Sequence, residues 1–488
     1  MLNISFQIAH LVLAACPIFG PGAAFAQEPT EAQELALVKR VNDERAAQLV
    51  RDLVALGSRM GGTASGERSA VFLTKEFKSY GLEVQHQLAP KKWCHEETDW
   101  AVTVHVEGEE PRTIERAWPW GFSPAGKGEG LELSLEAIPG KALLSDTFIA
   151  TQRGAEPCAV VISDGRTTHN GEWPRSDDHR RRQNARVAVI GISKPEGERL
   201  REFMADGRKV TVDWHLETTI KEGQPITVVA TLPKRPTPPA ESSVDSPADA
   251  AVDPTGIAVP HVLICAHGDS DSGGPGANDN GSGMAIVLEM ARSWKAAIDA
   301  GELQAPPIEV RFAIWGSEIY STKTYRDSDL GRGVVAVLNF DQAGFGSTGE
   351  RLHVEPDDIP GNVPFVRLAA EVLSQYSGKP GFPEQWATNK SLGGTDSYIF
   401  SGWKRFRTEE LPSVTMFTSA WDKPDEQPRT KGMPGESWRE REKVEMDYDE
   451  HYHSSGDTPE NTTDKEAHNM GWCARVGLIT TLRYIERP

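Results

Sequence analysis

An α/β fold is expected: a mixed, largely parallel sheet covered by helices on both faces, with a small β-rich domain inserted into it. Three observations predict it. From residue 261 onward, apolar strand-like runs alternate with helical patterns, the order that builds a parallel sheet with crossover helices. Between about 111 and 221 the chain changes to short strand-like pieces ("CAVVIS", "RVAVIGIS", "KVTVDWHL") split by polar stretches such as "DDHRRRQN". The length of 488 residues exceeds what one core usually holds, so two domains are expected.

The elements follow in order. Residues Ile8 to Phe19 are mostly apolar but too few to span a bilayer. They lead into "AAFAQEPT", where Ala24 and Ala26 form a small-x-small cleavage pattern, so 1–26 reads as an export signal. The stretch "LAAC" (Leu13 to Cys16) also resembles a bacterial lipobox, which would anchor the chain through Cys16. Both readings export the chain, to the periplasm or beyond. Leu35, Leu37, Val38, Val41, Ala46, Leu49, Val50, Leu53 and Val54 recur at near-helical spacing and predict a helix over 31–57. The turn "GSRMGGTASGE" follows, then a second helix over 67–80. The main domain takes in 27–110 and 222–488, and the insert 111–221. "ITVVATL" (Ile226 to Leu232) resumes the main domain as a strand. The Pro-, Ala- and Ser-rich stretch 234–258 reads as an exposed loop.

After that loop, "HVLICAH", "IEVRFAIW", "VVAVLNF" and "PSVTMFTS" read as buried strands. "SGMAIVLEMARSW" reads as a helix with Met284, Leu288, Ala291 and Trp294 on one face. "PFVRLAAEVLSQY" is another, with Pro364 near its start, and 464–484 closes the chain as a helix. The segment 401–450 is long and polar and leads into His453; its length suits a role in shaping a substrate pocket.

Composition narrows the function. With 38% hydrophobic and 25% charged residues the chain is globular rather than disordered. A net charge of -19 repels nucleic acid and anionic lipid, so neither is an expected partner. No stretch after the export signal is long and apolar enough for a membrane helix. Four cysteines follow residue 26, namely Cys94, Cys158, Cys265 and Cys473, and they form no C-x-x-C pair. Cys265, inside "HVLICAH", reads as a buried small hydrophobe. An oxidising compartment would permit a disulfide, which the sequence does not pair. The sequence leaves the oligomeric state open.

In parallel sheets, ligands gather at the carboxyl ends of the strands. Three apolar strands here deliver polar residues to that rim: His267 and Asp269 after "HVLICA", Glu318 after "RFAIW", and Asp341 after "VVAVLNF". Singly each reads as a loop acid or a satisfied histidine; together they point to a site. The stretches "AHGDSDSGGPGANDNGSG", "GGTDSYIF" and "HYHSSGDTPEN" add Asp279, Asp396, His453 and Asp457. Imidazole and carboxylate donors without thiolate suit a catalytic Zn²⁺, and bridging carboxylates allow two ions about 3.5–4 Å apart. The glycine-rich loop lacks the lysine of a phosphate-binding loop and carries an acid at its centre, which ranks phosphate binding low.

The order "HGDS…GPGANDNGSG…NFD…YHSSGDT" resembles the co-catalytic zinc exopeptidase family, which includes bacterial secreted aminopeptidases and glutamate carboxypeptidase II. The resemblance covers most of 35–485, and the insert resembles the protease-associated domain that many members carry. It implies two zinc ions and a peptide or small amide substrate. One ion would be held by His267, Asp279 and Asp341, with Asp279 bridging to a second held also by His453. Asp269 would orient His267 from behind, and Asp396 and Asp457 would support the site or face substrate. For Asp457, an N-cap of the "DTPEN" turn is an equal alternative. His451 is expected at the surface.

The chain departs from the family pattern at "WGSEIYSTKTY". Members carry two adjacent glutamates there, the general base and then a zinc ligand. Here Glu318 falls on the base position and Ile319 on the ligand position, and isoleucine coordinates nothing. Three outcomes stay open. Glu318 acts as base beside a weakly held second zinc, the reading favoured here; or the shorter turn makes Glu318 the ligand; or the site has become a binding surface. The corresponding functions are an exported zinc aminopeptidase, a mono-zinc hydrolase or glutaminyl-cyclase-like enzyme, and an inactive binding protein.

Overall fold

The apolar runs of the second half of the chain lie side by side at the centre of one sheet. The computed structural model describes residues 28–146, 158–168, 170–176, 186–236, 258–270, 273–346, 351–390, 394–402, 411–419 and 449–487. The expected export signal, nearly all of the Pro-rich loop and most of the polar segment ahead of His453 lie outside them.

The main sheet has eight strands, in the order Glu83–Leu88, Ile226–Leu232, Glu309–Trp315, His261–His267, Val334–Phe340, Ser413–Phe417, Arg351–Glu355, Gln385–Thr388. The four central strands, from Glu309–Trp315 to Ser413–Phe417, run parallel. Antiparallel strands flank them on both sides, with the pair Arg351–Glu355 and Gln385–Thr388 again parallel at one edge. Every residue of His261–His267 is buried, as expected of a strand covered on both faces.

The covering is unequal. Val262, Ile264, Ala266, Phe312 and Leu338 face a large core shared with the helices Glu31–Val38, Asp43–Val54, Ala64–Ser79, Gly283–Asp299, Val363–Tyr376 and His468–Glu486. Leu263, Cys265, Ala313 and Val337 face a smaller cluster completed by Tyr325, on the short helix Tyr320–Arg326, and by Ile399 and Phe400.

Local chemistry explains where helices differ from expectation. The run expected as one helix over 31–57 breaks in two. Asn42 adopts extended backbone and its side chain accepts the Arg45 amide at 2.7 Å, which starts a new helix. The next helix begins at Ala64 rather than 67 because Thr63 caps it. The buried Glu96 carboxylate takes the Ala64 and Ser65 amides at 3.1 and 2.7 Å, favourable at a helix N-terminus. The closing helix is His468–Glu486.

The second sheet also has eight strands. Its backbone is the antiparallel pair Lys92–Val106 and Val210–Gly223, registered from Lys92 opposite Gly223 to Val106 opposite Val210. This pairing draws Lys92–Val106, which precedes the expected boundary at 111, into the second sheet. Its own core includes Val102, Val104, Leu144, Ile162, Ile190 and Val212, closed by Leu200 of the helix Lys194–Ala205. Cys94, Cys158, Cys265 and Cys473 are all buried free thiols, so no disulfide joins them.

Candidate metal centre

His267 ends one central strand and Asp341 follows the end of its neighbour, so parallel pairing sets their side chains close together. Asp279 comes from the glycine-rich loop that opens the helix Gly283–Asp299. His267 Nε2 lies 3.2 Å from Asp279 Oδ1 and 3.5 Å from Asp341 Oδ1. On its other side, Asp279 Oδ2 lies 3.1 Å from His453 Nε2. Asp279 thus faces an imidazole with each oxygen. His267, Asp279 and Asp341 are buried, and their donor atoms all fall within 4.8 Å of one another.

The surrounding contacts fix these ligands. His267 Nδ1 lies 2.9 Å from the Asp269 carbonyl oxygen and 3.4 Å from its carboxylate, which turns Nε2 toward the acids. Asp269 Oδ1 also accepts the Glu318 amide at 3.0 Å. The Thr395 hydroxyl donates to Asp341 Oδ2 at 2.7 Å. Asp457 accepts the amides of Asn278 and Asp279 at 2.8 and 3.0 Å. Its carboxylate therefore holds the backbone of the Asp279 loop. Asn278 Nδ2 donates to Asp449 Oδ2 at 2.8 Å.

The electrostatics are those of a cation site. Asp269, Asp279, Asp341, Asp396, Asp449 and Asp457 are all buried around these two histidines. Burial opposes charge on His267, but Asp341, Asp269 and Asp279 outweigh it and hold its pKa well above the usual imidazole value. Burial likewise opposes charge on Asp279, and the hydrogen bonds and charges of His267 and His453 reverse it, drawing its pKa down. Burial pushes Asp396 up to about 7 and Asp449 to about 6. Asp341 Oδ1 is buried without a hydrogen-bond partner among the described residues. An orphaned acceptor aimed at an imidazole, within an excess of buried acid, is a donor set that a divalent cation would satisfy. The residues present fit zinc.

The turn after Trp315 answers where Glu318 and Ile319 go. Glu318 is half-buried beside Asp269. Ile319 has φ 57° and ψ -46°, and the Tyr320 amide donates to the Glu318 carbonyl across it, forming a γ-turn. The Ile319 side chain packs on the cluster of Trp315 and Tyr325. Its amide donates to Asp396 Oδ1 at 2.8 Å, and the Thr322 hydroxyl donates to the same oxygen. Ile319 thus contributes a backbone donor to a supporting acid and no metal ligand. Among the described residues, only His267, Asp279 and Asp341 form a cluster of three possible ligands.

Three residues escaped the sequence reading. Arg59 is fully buried beneath the site. Its guanidinium donates to the carbonyls of Gly268 at 3.1 Å, Gly57 at 3.1 Å, Pro275 at 2.9 Å and Gly276 at 2.7 Å. It ties the His267 loop to the Asp279 loop, and burial draws its pKa down to about 10 against the pull of Asp457, Asp269 and Asp279. Gly276 permits this closeness: its φ is +60°, and a Cβ there would stand 2.4 Å from Ser270 Cβ and 2.9 Å from Arg59 Nη2. Asp449 and Thr395 are the others. The sequence offered one signal for Arg59, a lone arginine inside a glycine-rich turn, and for Asp449 its place just ahead of "HYH". His451, expected at the surface, is buried at 5% exposure. Trp173 and Phe345 enclose it, with ring centroids at 6.4 and 5.9 Å.

Residues 253–476 match the profile of peptidase family M28. A probable lipoprotein aminopeptidase LpqL of Mycobacterium tuberculosis is 40% identical over 93 residues, 18% of this chain and 17% of that protein. The chain thus spans under a fifth of that relative. Among solved structures, a peptidase M28 precursor from Shewanella amazonensis superposes with TM-score 0.58 at 15% identity, over 94% of this chain and 97% of the other. BSAP, a zinc aminopeptidase from Bacillus subtilis, does so with TM-score 0.53 at 18% identity, over 91% and 95%. These likenesses show the fold. Residues 253–476, just under half of the chain, thus carry the profile of peptidase family M28 within that fold.

Proposed function

We propose that the chain is an exported, zinc-dependent aminopeptidase that releases N-terminal residues from peptides. The observation that carries this reading is Asp279, buried between His267 and His453 with Asp341 beside it. His267, Asp279 and Asp341 would hold one ion; Asp279 and His453 would hold the second, with solvent completing it. Bound there, zinc supplies Lewis-acid polarisation of the scissile carbonyl and lowers the pKa of the attacking water.

The chain's own groups do the rest. Glu318, at the rim with its backbone fixed by Asp269, takes a proton from the attacking water and returns it to the leaving amine. Asp269 fixes His267 and the Glu318 turn together. Action at the amino end is supported by the likeness to a probable lipoprotein aminopeptidase. Export is supported by the signal-like residues 1–26 and by the lipoprotein relative. No helix among the described residues is long and apolar enough to cross a membrane.

The test is hydrolysis of Leu-Gly-Gly and its N-acetylated form by the zinc-loaded chain, with metal counted by mass spectrometry. Release of leucine from the free peptide alone is expected. Release of C-terminal glycine from the blocked peptide would overturn aminopeptidase action. Cyclisation of a glutaminyl peptide without hydrolysis would move the chain to one-zinc acyl transfer. Absence of both zinc and turnover would leave a binding protein.

A further inference from the structure

His453 has φ +49°. A residue with a side chain holds that left-handed conformation at a cost on the order of 1 kcal/mol, and keeps it only where its neighbours determine it. Those neighbours lie in the connection between the second-sheet strands Val160–Ser163 and Ala188–Ile192. The Ser176 amide donates to the His453 carbonyl at 3.0 Å, and the Ser455 amide donates to the Pro174 carbonyl at 3.0 Å. Arg175 and Ser454 pair between them as an antiparallel bridge. The segment Trp173–Ser176 is itself held from behind. The Thr168 amide donates to the Trp173 carbonyl and the Arg175 amide to the Arg166 carbonyl, both at 2.8 Å.

The same segment reaches the other ligand loop. A Cβ on Gly274 would lie 2.6 Å from Ser176 Oγ and 3.2 Å from the Ser454 carbonyl oxygen. Gly274 thus lets the loop leading to Asp279 pack directly on Ser176. His267 and Asp341 need none of this, since buried parallel strands place them.

We infer that Trp173–Ser176, in the connection between two strands of the second sheet, is a positioning element of the metal centre: it locks the His453 backbone so that Nε2 faces Asp279. The inference rests on the zinc reading above. A connection of the second sheet is then a structural part of the second metal half.

The test counts zinc per chain, by mass spectrometry after dialysis, in the wild type and in Ser176→Pro, which removes the N–H that His453 accepts. Two ions in the wild type and one in Ser176→Pro are expected, the retained ion showing that the main sheet is intact. Ser176→Ala, which keeps the N–H, restores the second. Two ions in both proteins would overturn the inference. One ion in the wild type would too, since His453 would then hold nothing. No ion in the wild type would instead sink the zinc reading itself. A second measurement covers a Ser176→Pro chain that fails to fold. Coupling between sites is reciprocal, so adding zinc to metal-stripped wild type must slow hydrogen exchange of the Ser176 amide, on the order of tenfold. Unchanged exchange would overturn the inference.

Discussion

His267 and Asp341 stand where two neighbouring buried strands end, while His453 stands on a loop tied by backbone hydrogen bonds to a connection between strands of the other sheet. Asp279 serves both. The first half of the centre takes its geometry from buried central strands, and His267, Asp279 and Asp341 are buried. The second half, as proposed, has the partly exposed His453 with its left-handed backbone and, among the described residues, two protein groups. The comparison teaches that one centre can be built from two materials: strand register on one side, a docked segment on the other. The missing glutamate falls on the weaker side.

The largest effect follows from removing what the halves share. Asp279→Ala is expected to strip zinc from both and to lower kcat/KM by at least about 1,000-fold, since metal chemistry contributes several kcal/mol. An ion retained after that change would show that the halves stand alone. Next, Glu318→Gln is expected to lower kcat by about 100- to 10,000-fold with the zinc count unchanged. Loss of one zinc together with activity would make Glu318 a ligand of the second half. Thr395→Val removes the donor to Asp341 Oδ2 and should weaken zinc at the first half about 10- to 100-fold, read by competition with a chelator. Equal weakening of both ions would break the distinction between the halves. The smallest effect is expected of Ile319→Glu. The side chain points to an apolar cluster, so the new carboxylate should cost about 1 kcal/mol of stability, seen as a lower Tm, without tightening zinc. Tighter binding of the second ion would show that the turn can be reopened toward the metal.

Much of the first half was legible because its logic is local. Continuous apolar runs mark buried strands, and the residues that follow them mark the rim, so His267, Glu318 and Asp341 could be placed from "HVLICAH", "RFAIW" and "VVAVLNF". Arg59 was not legible, because its partners Gly268, Pro275 and Gly276 lie more than two hundred positions away. His451 was read as surface because nothing in "HYH" records that Trp173 and Phe345 close over it. The start of the second sheet was placed late for a similar reason. Lys92–Val106 alternates like any half-buried strand, and only its partner Val210–Gly223 tells which sheet it joins.

That long pair of strands has a consequence for anyone who would cut the molecule into modules. An excision from Lys92 to Gly223 would remove not only the outlying core. It would also take Glu96, whose carboxylate starts the helix Ala64–Ser79, and Ser176, whose amide fastens His453. The remainder would keep the Thr63 cap but lose the acceptor of two further helix amides on one flank, and the tie of the His453 loop on the other. Residues 92–223 are thus tied to a helix start of the main domain and to the His453 loop, and a version of this protein without them would lose both ties.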